Sequence, residues 1–171
     1  EVQARAVGIE LIGLSDRPAI DLTIDGADEV TPELDLIKGA GGALLREKMV
    51  AQASRQLIII ADASKSVDRL GVVSPVPVEV IPWELKAQVR FLESWGAEVE
   101  VRQSNDGNPL ESDNGLLFLD CRFPGGIDDP VRLESAIQAR AGIVESGLFL
   151  GLADEAVIAS ESGVEVRRRS G

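Results

Sequence analysis

Apolar residues in this chain come in short blocks separated by glycine, proline and acidic turns, and the spacing inside each block predicts an element. The runs 9–14 after Gly8 and 19–24 after Pro18 are bounded by turn residues and predict two strands, the second ending at Asp25. Leu45, Met49 and Ala53 then recur at i, i+4 and i+8 with Val50 alongside, the spacing of one buried helix stripe. Residues 57–61, Leu-Ile-Ile-Ile-Ala, form an unbroken β-branched-rich run that suits a strand covered on both faces, and it too ends at an aspartate, Asp62. Strand, glycine turn, helix and strand make a βαβ unit, in which ligands sit beyond the carboxyl ends of the strands. Asp25, Asp28, Lys38 and the turn 62–65 are therefore expected around one crevice.

The pattern changes at Pro75, Pro77 and Pro82, where proline restricts the run 76–81 to an edge strand or to strand ends. A domain boundary is placed there. Leu85, Val89, Leu92 and Trp95 form a helical stripe, Val99 and Val101 an alternating strand, and 103–114 a polar loop. A strand at 116–119, a helix around Leu133 and Ile137, and a strand at 143–149 complete the order of a split βαβ, ferredoxin-like module. Short strands at 156–158 and 164–166 are expected to rejoin the first sheet. The reading is an α/β protein: a parallel-sheet domain of residues 1–74 rejoined by 150–171, with a smaller α+β domain at 75–149.

Charge narrows the function. With 29 acidic against 17 basic side chains the formal net charge is −12, so the average surface repels nucleic acid and anionic membrane. The apolar runs fall far short of the roughly 20 residues of a membrane span, and no signal-peptide pattern opens the chain. A soluble cytoplasmic protein is expected, and the lone Cys121 has no internal disulfide partner. Histidine is absent, which excludes Ser-His-Asp and Cys-His catalysis and imidazole metal ligands, leaving proton transfer to carboxylates and lysines. The first residue is not Met, and residues 1–6 read like the end of a helix, so a fragment is expected.

Candidate chemistry concentrates in one stretch. Asp25, Gly26, Ala27, Asp28 and Glu29 crowd three carboxylates together, which disfavours ionisation of each and gives an acid near neutral pH; the alternative is a solvated, helix-capping acidic turn. The spacing does not match a calcium loop. Lys38, Gly39, Ala40, Gly41 and Gly42 lead into the helix, where bare amides and the positive helix end suit an oxyanion or phosphate. A plain strand-to-helix connection with a surface lysine fits equally well. Glu47, between Arg46 and Lys48, belongs either to a charged solvated face or, one turn of about 5.4 Å into the helix, over the same crevice. Lys65 carries the same ambiguity.

Three separated motifs resolve these alternatives by resemblance. Asp25-Gly-Ala-Asp-Glu29, Lys38-Gly-Ala-Gly-Gly-Ala-Leu-Leu-Arg-Glu-Lys48 and Ala61-Asp-Ala-Ser-Lys65, followed by Pro77-Val-Glu-Val-Ile-Pro82, resemble type A ribose-5-phosphate isomerases in order and spacing, over about residues 2–166. The resemblance implies a Rossmann-like sheet, incomplete at its N-terminus, with a ferredoxin-like domain. It also implies interconversion of ribose 5-phosphate and ribulose 5-phosphate through an enediolate, in the pentose phosphate pathway, without metal or cofactor. By the same resemblance Glu47 is the general base, Asp25 and Asp28 stand at the sugar hydroxyls with Asp25 assisting ring opening, and Gly26, Ala27, Lys38, Gly39, Ala40, Gly41 and Lys65 bind substrate. It leaves open whether Lys38 serves the phosphate or the enediolate. A sugar phosphate is the expected partner, in a homodimer or homotetramer of the cytoplasm or a plastid stroma, with no nucleic acid or membrane. Two departures stand out: Ala40 replaces a usual glycine, and the family's Gly/Thr-rich phosphate loop has no counterpart, so this exact chain is expected to be truncated and weakly active. The rival reading is a sugar-phosphate effector domain without catalysis.

Overall fold

The computed structural model describes residues 2–17 and 19–169. Pro18, expected to open the second strand, lies outside the described residues, as do residues 1, 170 and 171. The elements in the first half are α1 (Val2–Ala6), β1 (Thr23–Asp25), β2 (Glu29–Val30), β3 (Leu36–Ile37), α2 (Leu44–Ala53) and β4 (Leu57–Asp62), followed by a 3₁₀ turn at Ala63–Lys65. In the second half come β5 (Val76–Val80), α3 (Leu85–Glu93), β6 (Glu98–Val101), β7 (Leu117–Arg122), α4 (Pro130–Gln138), β8 (Ile143–Ser146), β9 (Leu148–Phe149), β10 (Glu155–Ser160) and β11 (Gly163–Arg168).

These form an α/β fold with a smaller antiparallel-sheet unit. β1, β4 and β10 run parallel, and β11 closes that sheet antiparallel to β10. β2, β3 and β9 make a small antiparallel sheet. The third sheet is antiparallel in the order β6-β7-β5-β8, with α3 and α4 as its crossovers, which is the ferredoxin-like arrangement expected from the element order.

Several sequence expectations are corrected. Residues 9–14 form no strand: no described strand lends them a ladder, Ile9 and Ile12 are each 59% exposed, and the chain turns at Gly13 through the Asp16 side chain. The strand expected at 19–24 is reduced to β1, with Ile20 making one isolated bridge to Ser54. β4 is not covered on both faces. Leu57, Ile59 and Ala61 face a core shared with Val30, Leu36, Ala51 and Phe149, whereas Ile60 is 54% exposed and Ile24 on β1 is 58% exposed.

The helix stripe is rotated by one residue. Leu44, Lys48 and Ala51 are the buried face of α2, and Met49 is half exposed. Lys48 occupies a core position because its ammonium is neutralised there by Glu145 at 2.7 Å and Glu134 at 3.5 Å, with the Phe149 ring centre 4.9 Å away. Hydropathy patterning reads any lysine as surface and so assigns its neighbour to the core.

Proline does not confine β5 to an edge. The strand is central, paired with β7 on one side and β8 on the other, and all five residues are buried. A strand residue directs its N–H and C=O to the same side, and the Pro77 carbonyl accepts from Gly147 N–H at 2.7 Å. The missing Pro77 N–H therefore also faces Gly147, whose carbonyl accepts instead from Lys38 N–H at 2.9 Å. The run expected as one strand at 143–149 splits at this glycine into β8 and β9, which belong to different sheets.

Val76, Val78 and Val80 of β5 pack with Leu92 of α3 and with Leu133 and Ile137 of α4. Pleating sends Pro77 and Glu79 to the other face, where Gly39 lies beside the Pro77 ring. The seam between the two larger sheets thus runs along α2 and the turn before it. Truncating Lys48 to Ala leaves the largely enclosed Glu145 without its cation and is expected to cost about 3 kcal/mol in chemical denaturation. Arg55→Ala, which breaks an exposed pair with Asp21, is expected to cost under about 1 kcal/mol.

Candidate active site

The site begins with a lysine that the backbone gives no freedom. Lys38 follows β3, its N–H is held by Gly147, and a Cβ on Gly147 would collide with the Lys38 carbonyl and come within 2.6 Å of Pro77 Cδ. Only glycine permits the two chain segments to approach this closely. The Lys38 side chain, 4% exposed, ends in an ammonium surrounded by oxygen: Gly26 carbonyl at 2.6 Å, Asp25 Oδ2 at 2.9 Å and Glu47 Oε2 at 3.3 Å. The Phe149 ring centre lies 5.5 Å from Nζ.

Asp25 ends β1, and its second oxygen accepts from Gly26 N–H at 2.8 Å. Glu47 stands in the first turn of α2. Its Oε2 is buried and accepts no hydrogen bond, so its contact with Lys38 is an ion pair without a directed donor. That carboxylate oxygen keeps the capacity to accept a proton.

The turn is built by its glycines. Gly39 has φ of +107° and Gly42 of +81°, and a side chain on Gly39 would meet Leu44 Cβ at 2.8 Å. Ala40 is exposed and has no positive φ, so the methyl that departs from the family pattern strains nothing. Its N–H donates to Asp28 Oδ2 at 3.0 Å, so Asp28 braces the turn. Of the crowded carboxylates Glu29 is set apart: fully buried, it accepts from Gly71, Val73 and Ser74 N–H, each at 2.6 Å.

Asp25, Gly26, Asp28, Lys38, Gly39, Ala40 and Glu47 thus come together, with Gly41 in the same turn, while Ala27 packs against the core beneath. Lys65 is not tied to them: it closes the 3₁₀ turn, where its charge acts on Asp62. The Ser64 hydroxyl and N–H hold the Asp62 carboxyl below its ordinary range. No cluster of three or more acidic or cysteine side chains suited to a metal occurs among the described residues.

Sequence reasoning missed the residues that the second sheet supplies. Arg102 sends one guanidinium nitrogen to the Gly39 carbonyl at 2.9 Å and the Ala40 carbonyl at 3.3 Å, and its other two to Asp120 at 2.9 and 2.6 Å. Glu79 is fully buried with Oε1 unpaired; burial raises its pKa above the ordinary 4.5, against the Ser112 hydroxyl, which donates to Oε2 at 3.5 Å. Two signals were present, an acidic residue inside the apolar Pro-Val-Glu-Val strand and a glycine inside the run 143–149. Nothing local marks Arg102.

Residues 1–163 match the family model of ribose 5-phosphate isomerase A (phosphoriboisomerase A). The chain belongs to the ribose 5-phosphate isomerase A family. It is 50% identical over 164 residues to the ribose-5-phosphate isomerase A of Desulfatibacillum aliphaticivorans, covering 96% of this chain and 71% of that protein. Its fold superposes on the ribose 5-phosphate isomerase of Plasmodium falciparum with a TM-score of 0.94 at 35% identity, covering 99% of this chain and 74% of that one. A D-ribose-5-phosphate isomerase solved in complex with phospho-erythronic acid gives a TM-score of 0.94 at 38% identity, covering 98% and 73%.

For this isomerase-family chain, Gly147→Ala is expected to lower stability by about 1–3 kcal/mol in urea denaturation and to shift the Lys38 amide resonance, because the new methyl overlaps the Lys38 carbonyl. Glu79 gives a pH signature. An acid whose pKa is raised on folding loses stability as pH climbs from its ordinary 4.5 through the raised value, and the loss persists above it. Glu79→Gln is therefore expected to exceed the parent in stability at pH 7 and to lose that advantage below pH 4.5.

Proposed function

We propose that this chain interconverts ribose 5-phosphate and ribulose 5-phosphate through an enediolate, the aldose–ketose step of the pentose phosphate pathway. The observation that carries the reading is the convergence of the Asp25 and Glu47 carboxylates on the buried Lys38 ammonium, at 2.9 and 3.3 Å. Family membership and the phosphorylated sugar acid bound to a solved relative support a small sugar phosphate as substrate.

In the open-chain aldose the C2 hydrogen is acidified by the neighbouring C1 aldehyde. Glu47 removes that proton, and the electron pair forms the C1–C2 double bond while negative charge collects on O1. Glu47 then returns the proton to C1 as the O2 proton passes to O1, leaving the ketone at C2. Such a positioned base contributes roughly 10²–10⁴ in rate. Lys38 lies beside Glu47, which favours a role opposite the enediolate charge over one at the phosphate. A preorganised cation or donor there contributes about 3–4 kcal/mol. Asp25, part-exposed beside Lys38, takes the ring-opening role, Asp28 and the turn 39–41 bind the sugar, and Lys65 is a further substrate contact. The working form is a homo-oligomer in the cytoplasm or a plastid stroma.

The test is turnover of ribose 5-phosphate in a ketose-detecting assay. Glu47→Gln is expected to lower kcat by roughly 10²–10⁴ with KM little changed and to stop deuterium uptake from heavy water at C1 of the product. Equal rates for the two proteins would remove Glu47 as base. Sugar-phosphate binding by the parent without proton exchange would favour the effector-domain reading.

A further inference from the structure

We propose that Arg102, on the ferredoxin-like sheet, is the positioning residue that aims the amide groups of the glycine turn at the substrate. The inference rests on the isomerase reading of the site. In a trans peptide the C=O and the following N–H point in opposite directions. The Gly39 and Ala40 carbonyls both accept from the same Arg102 nitrogen, at 2.9 and 3.3 Å. The N–H groups of Ala40 and Gly41 are therefore turned away from Arg102. Ala40 N–H reaches Asp28 at 3.0 Å, which fixes that direction as the side of the catalytic carboxylates. Gly41 N–H accompanies it and bonds to no described residue, and the space where a Gly41 side chain would stand is open to 4 Å. One bare amide is thus presented toward the carboxylates, where an anionic oxygen of the sugar phosphate would accept from it.

Arg102 is built to hold this direction. Its side chain is 13% exposed, it forms a two-bond pair with Asp120, and its guanidinium lies 4.7 Å from the Phe118 ring centre. A planar fork spans the carboxylate and both carbonyls at once, whereas a lysine ammonium is a point donor that cannot. The turn has no comparable internal brace: its one internal backbone bond runs from Gly42 N–H to the Gly39 carbonyl at 3.1 Å. Arg102 touches no reacting atom and acts through the turn.

Two measurements on Arg102→Ala and Arg102→Lys test this, the lysine variant keeping a cation opposite Asp120 so that the fold survives. Amide hydrogen exchange at Ala40 and Gly42 is expected to accelerate in both, with α2 unchanged. The kcat for ribose 5-phosphate is expected to fall roughly 10²-fold, the scale of a 1 Å misplacement, with the pH profile unshifted because Arg102 does not contact Glu47. Added guanidinium ion is expected to restore part of kcat in the alanine variant, which a general loss of stability would not allow. Unaltered exchange at Ala40 and Gly42 would overturn the inference whatever the activity. Faster exchange with undiminished kcat would also overturn it. A parent protein that exchanges no substrate proton would instead overturn the isomerase reading, the exchange data still deciding whether Arg102 holds the turn.

Discussion

A buried ammonium governs this structure. Lys38 is almost wholly removed from water, and a charge so placed is tolerated only if its donors meet acceptors on every side. Its acceptors come from the end of β1, the peptide just beyond it and the first turn of α2. Those elements must stand at fixed separations for the cation to be satisfied. The same requirement brings two carboxylates together, and the cation between them offsets their mutual repulsion. Gly147 completes the constraint by holding the Lys38 backbone where a side chain on any other residue would displace it.

How much of this was legible in the sequence follows from the range of each contact. Asp25, Lys38 and Glu47 lie close along the chain, and the glycines between them announce a tight turn, so their convergence could be read from spacing and motif. The alternating strand and helix patterns likewise gave the α/β class and the ferredoxin-like order of the second half. Arg102 reaches the turn from 63 residues away and Glu145 reaches Lys48 from 97 away, and no local pattern encodes either. Pattern reading also failed wherever a residue played against type. Lys48 sits in the core because carboxylates follow it there, and Pro77 sits in a central strand because the carbonyl opposite it is committed to Lys38.

The site lies on the seam between the two larger sheets rather than within either. Asp28 grips the Gly39–Ala40 peptide by its N–H from one side and Arg102 grips it by its C=O from the other. Glu79, from the same antiparallel sheet as Arg102, faces the Leu45 N–H at the start of α2, a helix whose N-cap residue Ala43 offers no side-chain bond. A buried carboxylate at that end lies where the positive end of the helix favours negative charge. The helix that carries Glu47 is therefore anchored by one sheet while its turn is braced by both.

The two buried lysines beside Phe149 show how the fold separates chemistry from support. Both place an ammonium near the same ring, at 5.5 Å for Lys38 and 4.9 Å for Lys48. Their nearest carboxylate partners differ in exposure: Glu145, 2.7 Å from Lys48, is 12% exposed and Glu134, at 3.5 Å, 26%, whereas Asp25 and Glu47 opposite Lys38 are 29% and 30% exposed. The main partner of Lys48 is enclosed and further bonded by Gln138 and by the Ser146 N–H, so that charge is spent on holding α2 to β8. Around Lys38 both carboxylates are part-exposed, and the Glu47 oxygen nearest the ammonium is buried without a hydrogen bond. A negative charge forming there in the proposed reaction would draw on a cation already desolvated and oriented, the condition under which a fixed ammonium does most for a transition state.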